Sequence, residues 1–171
     1  MSLLRRLFRR SRPRQVVDFV DLCGDGLHPG DRIELAGRVE AQGTVVDPIG
    51  DLECVAIEYR AWPQPTTIGI DGAPVGARAF HLTCHHAADF VLERHGARIY
   101  VRVDRGRDVA AIHGDLVGRY GVGLRSEVRR IVDGDEVRLV GAIERLRGGA
   151  SPLRDDPYLA VIAAERLWAV G

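Results

Sequence analysis

The sequence has 171 residues, 46% of them hydrophobic, and carries equal numbers of basic and acidic side chains. A chain of this length can bury a hydrophobic core as one domain, and it contains no apolar run of the roughly 18 residues that a membrane-spanning helix needs. Apart from histidine, all 24 basic residues are arginine, and the sequence contains no lysine. This excludes chemistry that requires a lysine Schiff base or a phosphate-loop lysine.

The cysteine content indicates a reducing compartment. Cys23, Cys54 and Cys84 are widely separated and form no CxxC pair. An odd number of cysteines at this spacing indicates neither a disulfide framework nor a zinc ribbon. The N-terminal arginines are not followed by the apolar region of a signal peptide. We therefore predict a cytoplasmic protein.

Residues 1–14 form a basic segment that precedes a single β domain predicted over residues 15–171. In a helix, the apolar side chains of this segment would form a narrow stripe flanked by arginines, a pattern typical of membrane-surface segments. We predict that it binds an anionic surface, the inner face of the membrane; a tail without specific contacts, a partner helix and nucleic acid are the alternatives. The candidate membrane-surface residues are Leu3, Leu4, Arg5, Arg6, Leu7, Phe8, Arg9 and Arg10.

Two similar stretches, 29–40 and 133–144, each place Gly-Asp before alternating apolar and polar residues. This alternation predicts two half-buried strands. A glycine interrupts each strand, at Gly37 and at Gly141, where small barrels bend or bulge. The predicted core-facing residues are Ile33, Leu35, Val39, Val137, Leu139 and Ile143.

The remaining pattern predicts further short strands separated by turns rich in glycine and proline. In chain order, the strands lie at about 53–62, 78–86, 90–93, 98–103 and 158–170, with at most one short helix around 107–120. The fold class is therefore mainly β. We predict a small β-barrel or sandwich of the oligonucleotide-binding-like kind.

Several phrases follow one another in a characteristic order over roughly 32–168. They are Gly37-Arg38-Val39, Asp47-Pro48, Cys54 to Arg60, Phe90-Val91-Leu92, Tyr100 to Val103, Ser126 to Ile131, Val140 to Glu144 and Tyr158 to Ile162. This ordered set resembles the GIDE-type domain, also called the BAM ("beside a membrane") domain. That domain occurs in bacterial membrane proteins and in RING-type ubiquitin ligases of the mitochondrial outer membrane and the chloroplast.

The resemblance implies a non-catalytic module near a membrane that docks or binds a partner. Family members typically carry transmembrane helices, and the ligases end in a RING with eight cysteine or histidine ligands. After residue 144 this chain has no cysteine and no histidine, so ubiquitin-ligase activity is not carried over. The basic residues 1–14 would replace the membrane helix.

A nucleic-acid-binding barrel is the first alternative. Arg98, Tyr100 and Arg102 alternate on one strand face, and Arg60 and Trp62 belong to a neighbouring predicted strand. Basic and aromatic residues on one sheet face are typical of oligonucleotide-binding barrels. Against this alternative, the chain after residue 14 is net acidic, which weakens attraction to a phosphate backbone.

A metal-dependent enzyme is the second alternative, and histidines are its only candidates. His81 and His85 would share a strand face, but two residues at i and i+4 on a strand lie about 13 Å apart, too far to bind one metal. A site would need a bulge in this strand, or His95 folding back. No serine occupies a nucleophile elbow. A concave pocket with converging polar groups would favour an enzyme over an interaction module.

We therefore predict a non-enzymatic interaction or adaptor module with no cofactor, in a bacterial cytoplasm, peripheral at the inner membrane face through its N-terminal segment. A protein partner of unknown identity and the anionic membrane surface are the expected partners.

Overall fold

A computed structural model describes residues 15–24, 26–64, 80–147 and 157–170. The strands in these ranges are β1 (Gln15–Val16), β2 (Arg32–Ala41), β3 (Val45–Val46), β4 (Glu53–Cys54), β5 (Ala56–Pro63), β6 (Leu82–Ala87), β7 (Phe90–Arg94), β8 (Ala97–Arg102), β9 (Leu124–Ile131), β10 (Glu136–Leu146) and β11 (Ala160–Ala169). The helix α1 spans Val109–Tyr120, and short 3₁₀ helices span Phe19–Cys23 and Gly121–Gly123. The predicted mainly β fold with one short helix is confirmed. The predicted membrane segment, 1–14, lies outside the described residues.

Five of the strands pair in a closed ring. Going around it, β2 pairs with β10, β10 with β11, β11 with β8, β8 with β7, and β7 again with β2. Every pair is antiparallel except β8 and β11, which run parallel. Each of these strands therefore has a neighbour on both sides, which removes the open edges of a flat sheet.

The two similar stretches of the sequence are neighbours in this ring, as β2 and β10. Leu35 lies opposite its counterpart Leu139 in the antiparallel register, so an approximate two-fold rotation relates the copies. All the core-facing residues predicted from the alternation are buried: Ile33, Leu35, Val39, Val137, Leu139 and Ile143. Alternation along each strand therefore placed one face of this pair in the core, as predicted.

The turns before β2 and β10 obey the same symmetry. The Gly30 N–H donates to the Ile143 carbonyl at 2.7 Å, and the Gly134 N–H donates to the Val39 carbonyl at 2.8 Å. Both glycines have positive φ, 95° and 86°, a region that glycine enters without the steric cost of a Cβ. The Gly-Asp phrases thus form the turns that fasten each copy to the other.

The interior glycines lie where another strand approaches closely. A Cβ on Gly141 would be 2.5 Å from the Ala163 carbonyl oxygen, and the β10–β11 register shifts beside this glycine. A Cβ on Gly37 would be 2.8 Å from the Glu93 carbonyl oxygen. The predicted interruption is a bulge at Gly141 and a close backbone contact at Gly37.

A second layer consists of a three-stranded sheet in the order β6-β5-β9, the β3–β4 hairpin and α1. The strand predicted at 53–62 is in fact two strands separated at Val55. The side chain of Val55 belongs to the ring's core, whereas Cys54 and Ile57 belong to a second core under α1. The chain crosses from one core to the other at this residue.

The helix α1 covers one face of this sheet. The Asp108 side chain caps its start by accepting the Ala111 N–H at 3.1 Å, an arrangement that satisfies one of the unpaired amides of the first turn. Val109 is fully buried against the sheet. Near the middle of the helix, His113 Nδ1 lies 2.8 Å from the Tyr59 hydroxyl, which joins the helix to β5.

Candidate binding cavity

A cavity of about 290 Å³ lies where the three-stranded sheet meets β11 of the ring. The volume lies just below the range usual for ligand sites, which begins near 300 Å³. Its apolar lining includes Ala56, Ala87, Ile131, Ala164, Leu167 and Trp168. The walls therefore come from both layers of the molecule.

Of the polar residues that line the cavity, three lie side by side on neighbouring strands. The strand register places Glu58 opposite His85 on β6 and opposite Arg129 on β9. Because side chains alternate across a strand, all three project from the face opposite Tyr59 and α1. The sheet thus presents a row of a base, an acid and an imidazole to the cavity.

The carboxylate in this row is neutralised within the protein. Glu58 is buried, with 7% of its surface exposed. The Arg60 Nε donates to Glu58 Oε1 at 2.7 Å. A buried carboxylate is tolerated when a hydrogen-bonded cation accompanies it, so this acid is held in an internal pair.

Burial favours the neutral form of the His85 ring. Burial lowers the pKa of His85 below 6.5, while the negative charge and the backbone hydrogen bond of Asp104 act in the opposite direction. Within the described ranges, the Nε2 atom of His85 is buried without a hydrogen-bond partner. This nitrogen therefore retains the capacity for one more hydrogen bond.

Arg129 differs from the other charged residues around the cavity. It is exposed, and no hydrogen bond or ion pair joins it to another described residue. The adjacent Arg130 projects from the opposite face and binds the buried Asp47 at 2.9 Å. Asp104, at the other end of the row, accepts the Gly106 N–H at 3.0 Å.

The candidate metal residues do not assemble into one site. His81 is exposed and stacks on Trp62 with 6.4 Å between ring centroids. His95 occupies the turn between β7 and β8, and His85 lines the cavity. Among the described residues, no group of three or more His, Cys, Asp or Glu side chains is placed to hold a metal ion.

The five residues of the nucleic-acid alternative fall on two different sheets. Arg60 and Trp62 lie on β5 of the three-stranded sheet, whereas Arg98, Tyr100 and Arg102 lie on β8 of the ring. The predicted alternation on β8 is correct, since Ile99 and Val101 are buried between them.

Each of these three β8 side chains contacts an acid. The distances are 2.6 Å from Arg98 to Glu40, 3.2 Å from the Tyr100 hydroxyl to Asp89, and 3.0 Å from Arg102 to Glu144. Arg98 also lies over the Tyr158 ring, 5.5 Å from its centroid. The outer face of β8 is therefore largely charge-compensated by the protein itself.

Of the residues that line the cavity, His85 alone was predicted from the sequence as a candidate site residue. The alternation along β5 places Tyr59 in the core and Glu58 on the opposite face. This alternation was the sequence feature from which Glu58 could have been predicted to line the cavity. Arg129 and Trp168 carried no local signal, because strand register between distant segments decides which residues meet.

No protein-family model matches the sequence, and no curated protein matches it either. Within the residues that the structure describes, no helix is long and apolar enough to cross a membrane.

Proposed function

We propose that this chain is a non-enzymatic interaction module of the GIDE type, acting in a bacterial cytoplasm and attached to the inner membrane face through residues 1–14. The observation that carries the binding role is the apolar cavity between the ring and the second sheet. A small apolar cavity with a few polar groups at its edge is the usual form of a binding site.

Polar groups beside a cavity also suit an enzyme, and their state here favours binding instead. Glu58 is paired with Arg60, which removes it as a free general base. His85 has its pKa lowered by burial, and its neighbour across the strand register is this same paired carboxylate rather than a nucleophile. Recognition therefore fits these residues better than proton transfer.

The strand order of the ring supports an oligonucleotide-binding-like architecture. Numbered in chain order, the five ring strands are β2, β7, β8, β10 and β11, and they pair in the order 1-2-3-5-4-1. A five-stranded Greek-key barrel of that kind is a general binding scaffold. The barrel, with partners on its surface, suits the proposed adaptor role.

The membrane part of the proposal is tested by liposome co-sedimentation of the full chain. Arg5, Arg6, Arg9 and Arg10 are replaced together by serine. Attraction to anionic lipid is about 1 kcal/mol per basic residue near the surface, so four replacements should abolish sedimentation with anionic vesicles. Neither the wild type nor the variant should sediment with neutral vesicles.

A matched control removes positive charge from the described domain instead. Arg105, Arg107, Arg119 and Arg147 are exposed. Their joint replacement by serine should leave vesicle binding within about twofold of the wild type, because these residues lie outside the proposed anchor. Equal loss in both variants would mean that overall charge, and not residues 1–14, determines membrane binding.

Nucleic acid remains the second candidate, favoured by the ring's strand order and opposed by the acids that contact the outer side chains of β8. Fluorescence anisotropy with a labelled single-stranded oligonucleotide distinguishes the two. If the chain is an interaction module, we expect it not to bind the oligonucleotide at physiological salt. Salt-dependent binding that is lost on replacing Trp62 and Tyr100 would establish the nucleic-acid function.

A further inference from the structure

The cavity between the three-stranded sheet and β11 combines an apolar interior with one uncompensated cation. We propose that it binds a small apolar monocarboxylate, whose carboxylate pairs with Arg129 and whose apolar body fills the cavity. This inference rests on the binding role proposed for the cavity and names its ligand class. It requires neither a membrane nor a protein partner, so failure of vesicle binding and failure of the ligand titration are distinguishable.

Apolar side chains from both layers form the walls of the cavity. Ala56, Ala87 and Ile131 come from the sheet, and Leu167 and Trp168 come from β11. A volume of about 290 Å³ suits a ligand with one ring or a short branched chain rather than a nucleotide. Burial of such a body contributes about 25 cal/mol for each Å² of apolar surface removed from water.

The charged side chains beside the cavity differ in whether the protein supplies them with a partner. Glu58 is held by Arg60 at 2.7 Å, and Asp104 accepts a backbone N–H at 3.0 Å. Arg129 has neither an acid nor a hydrogen-bond acceptor among the described residues. A guanidinium binds a carboxylate through two parallel hydrogen bonds, which makes this anion its best partner.

An ammonium ligand is the alternative that the same geometry would admit. Asp104 carries a negative charge near the other end of the row, beside His85. However, this aspartate already accepts a hydrogen bond, and the paired Glu58 lies between it and Arg129 in the sheet order. A backbone hydrogen bond does not cancel the charge of Asp104, but it gives this carboxylate a polar partner that Arg129 lacks among the described residues. The ligand group at the Arg129 end of the row should therefore be an anion.

The test uses the full chain with Trp62 replaced by phenylalanine. Of the two tryptophans in the sequence, only Trp168 then remains. Its fluorescence is followed during titration with phenylacetate, phenylacetamide and phenethylammonium. We expect a saturable change with phenylacetate. Its Kd should be about tenfold lower than that of the amide, a difference that matches one charge-assisted contact, and the ammonium should bind no better than the amide.

Two arginine variants then locate the charge. Arg129→Gln should raise the Kd for phenylacetate about tenfold and leave the Kd for phenylacetamide unchanged. Arg125→Gln is the matched control, because Arg125 lies on the same strand and face but outside the cavity lining. It should leave both constants unchanged.

Ala164→Phe should fill the cavity and abolish binding of all three compounds. If that variant does not fold, the Arg129 and Arg125 variants decide the question alone. The proposal is overturned if no compound gives a saturable change up to millimolar concentration, if the amide or the ammonium binds as tightly as phenylacetate, or if Arg129→Gln and Arg125→Gln have the same effect.

Discussion

At the scale of single residues, the interior glycine of β10 shows why small size is required at particular points. A Cβ on Gly141 would lie 2.5 Å from the Ala163 carbonyl oxygen and 2.6 Å from Ile162 Cγ2. Backbone cannot move aside as a flexible side chain can. The neighbouring strand would have to shift, and with it the bulge that bends β10.

Gly141→Ala should therefore destabilise the protein by about 1–3 kcal/mol, the usual cost of overpacking. Urea unfolding followed by circular dichroism measures this change. Gly118→Ala is the control, since nothing lies within 4 Å of the position and it is inside α1. Alanine is favoured over glycine in a helix, so that variant should gain about 0.5–1 kcal/mol. Equal midpoints for both variants would contradict the close contact.

Asp47 is a second residue whose surroundings fix its role. Its side chain is 2% exposed; Oδ1 accepts the Ile49 N–H at 2.8 Å, and Oδ2 accepts from Arg130 at 2.9 Å. Asp47→Asn should cost about 1–3 kcal/mol in urea unfolding, because the buried charge-assisted bond is lost. Asp51→Asn, on the exposed side of the same turn, should change stability by less than about 0.5 kcal/mol. Similar costs for the two would show that the pair with Arg130 contributes little.

The three cysteines should differ in reactivity and in pH dependence. Burial, assisted by the charge of Asp47, raises the pKa of Cys54 from 9.0 to about 11, and burial also raises the pKa of Cys84. Cys23 is exposed. Native protein at about pH 8 should therefore be alkylated by iodoacetamide at Cys23 alone, since the thiolate is the nucleophile. Labelling of Cys54 as fast as Cys23, read by mass spectrometry, would contradict the buried placement.

The raised pKa of Cys54 also has a stability consequence with a defined sign. The folded state keeps a proton that the unfolded state releases above pH 9.0, so stability is full below pH 9.0 and is lost as the pH rises through about 11. Urea unfolding should show this loss in the wild type. The loss should be smaller in Cys54→Ala, where this thiol is absent, and the same slope in both proteins would assign the effect to other groups.

At the scale of elements, α1 is attached to the three-stranded sheet by apolar contacts and by a polar contact. Val109 packs in the second core, and the Tyr59 hydroxyl lies 2.8 Å from His113 Nδ1. The rings of Tyr59 and His113 also meet edge-on at 5.6 Å. This pair fixes the angle of the helix on the sheet more specifically than burial does, because hydrogen bonds are directional.

A double-mutant cycle tests this attachment. Tyr59→Phe and His113→Ala should each destabilise the protein, and the coupling between them should be about 0.5–1.5 kcal/mol, the usual net value of one hydrogen bond. Urea unfolding of the two single variants and of the double variant provides the numbers. Additive effects would mean that the two side chains act independently.

At the scale of the whole molecule, the ring and the three-stranded sheet differ in how their strands are protected. The strand β10 pairs with β2 on one side and β11 on the other, whereas β9 pairs only with β5 among the described residues. Opening a strand of the ring breaks two sets of backbone hydrogen bonds, while opening β9 breaks one. The ring should be the most stable unit.

Native-state hydrogen exchange should reveal this order. Amides of β10 should exchange only after openings with the largest free energies. Every second amide of β9 points away from β5, and these amides should exchange after openings with much smaller free energies, because the free energy of opening ranges from near zero to the global stability. Two-dimensional nuclear magnetic resonance provides both rates in one experiment. Equal protection of β9 and β10 would indicate that another segment covers the edge of β9.

Much of the fold could be predicted from local patterns. The alternation in β2 and β10 placed six core residues correctly, and the Gly-Asp phrases marked the turns with positive φ. These successes share a cause: whether a strand residue faces the core or solvent depends on a period of two, which is written in consecutive residues.

The sequence by itself therefore determined the mainly β class, the single short helix and the faces of the strands. Only the tertiary structure decided that the two similar stretches pair with each other, that Val55 separates two cores, and that Arg129, Glu58 and His85 form a row beside β11. Each of these depends on register between strands far apart in the chain. That register is set by packing of the complete core, and a shift of one residue would turn every side chain of a strand to the other face.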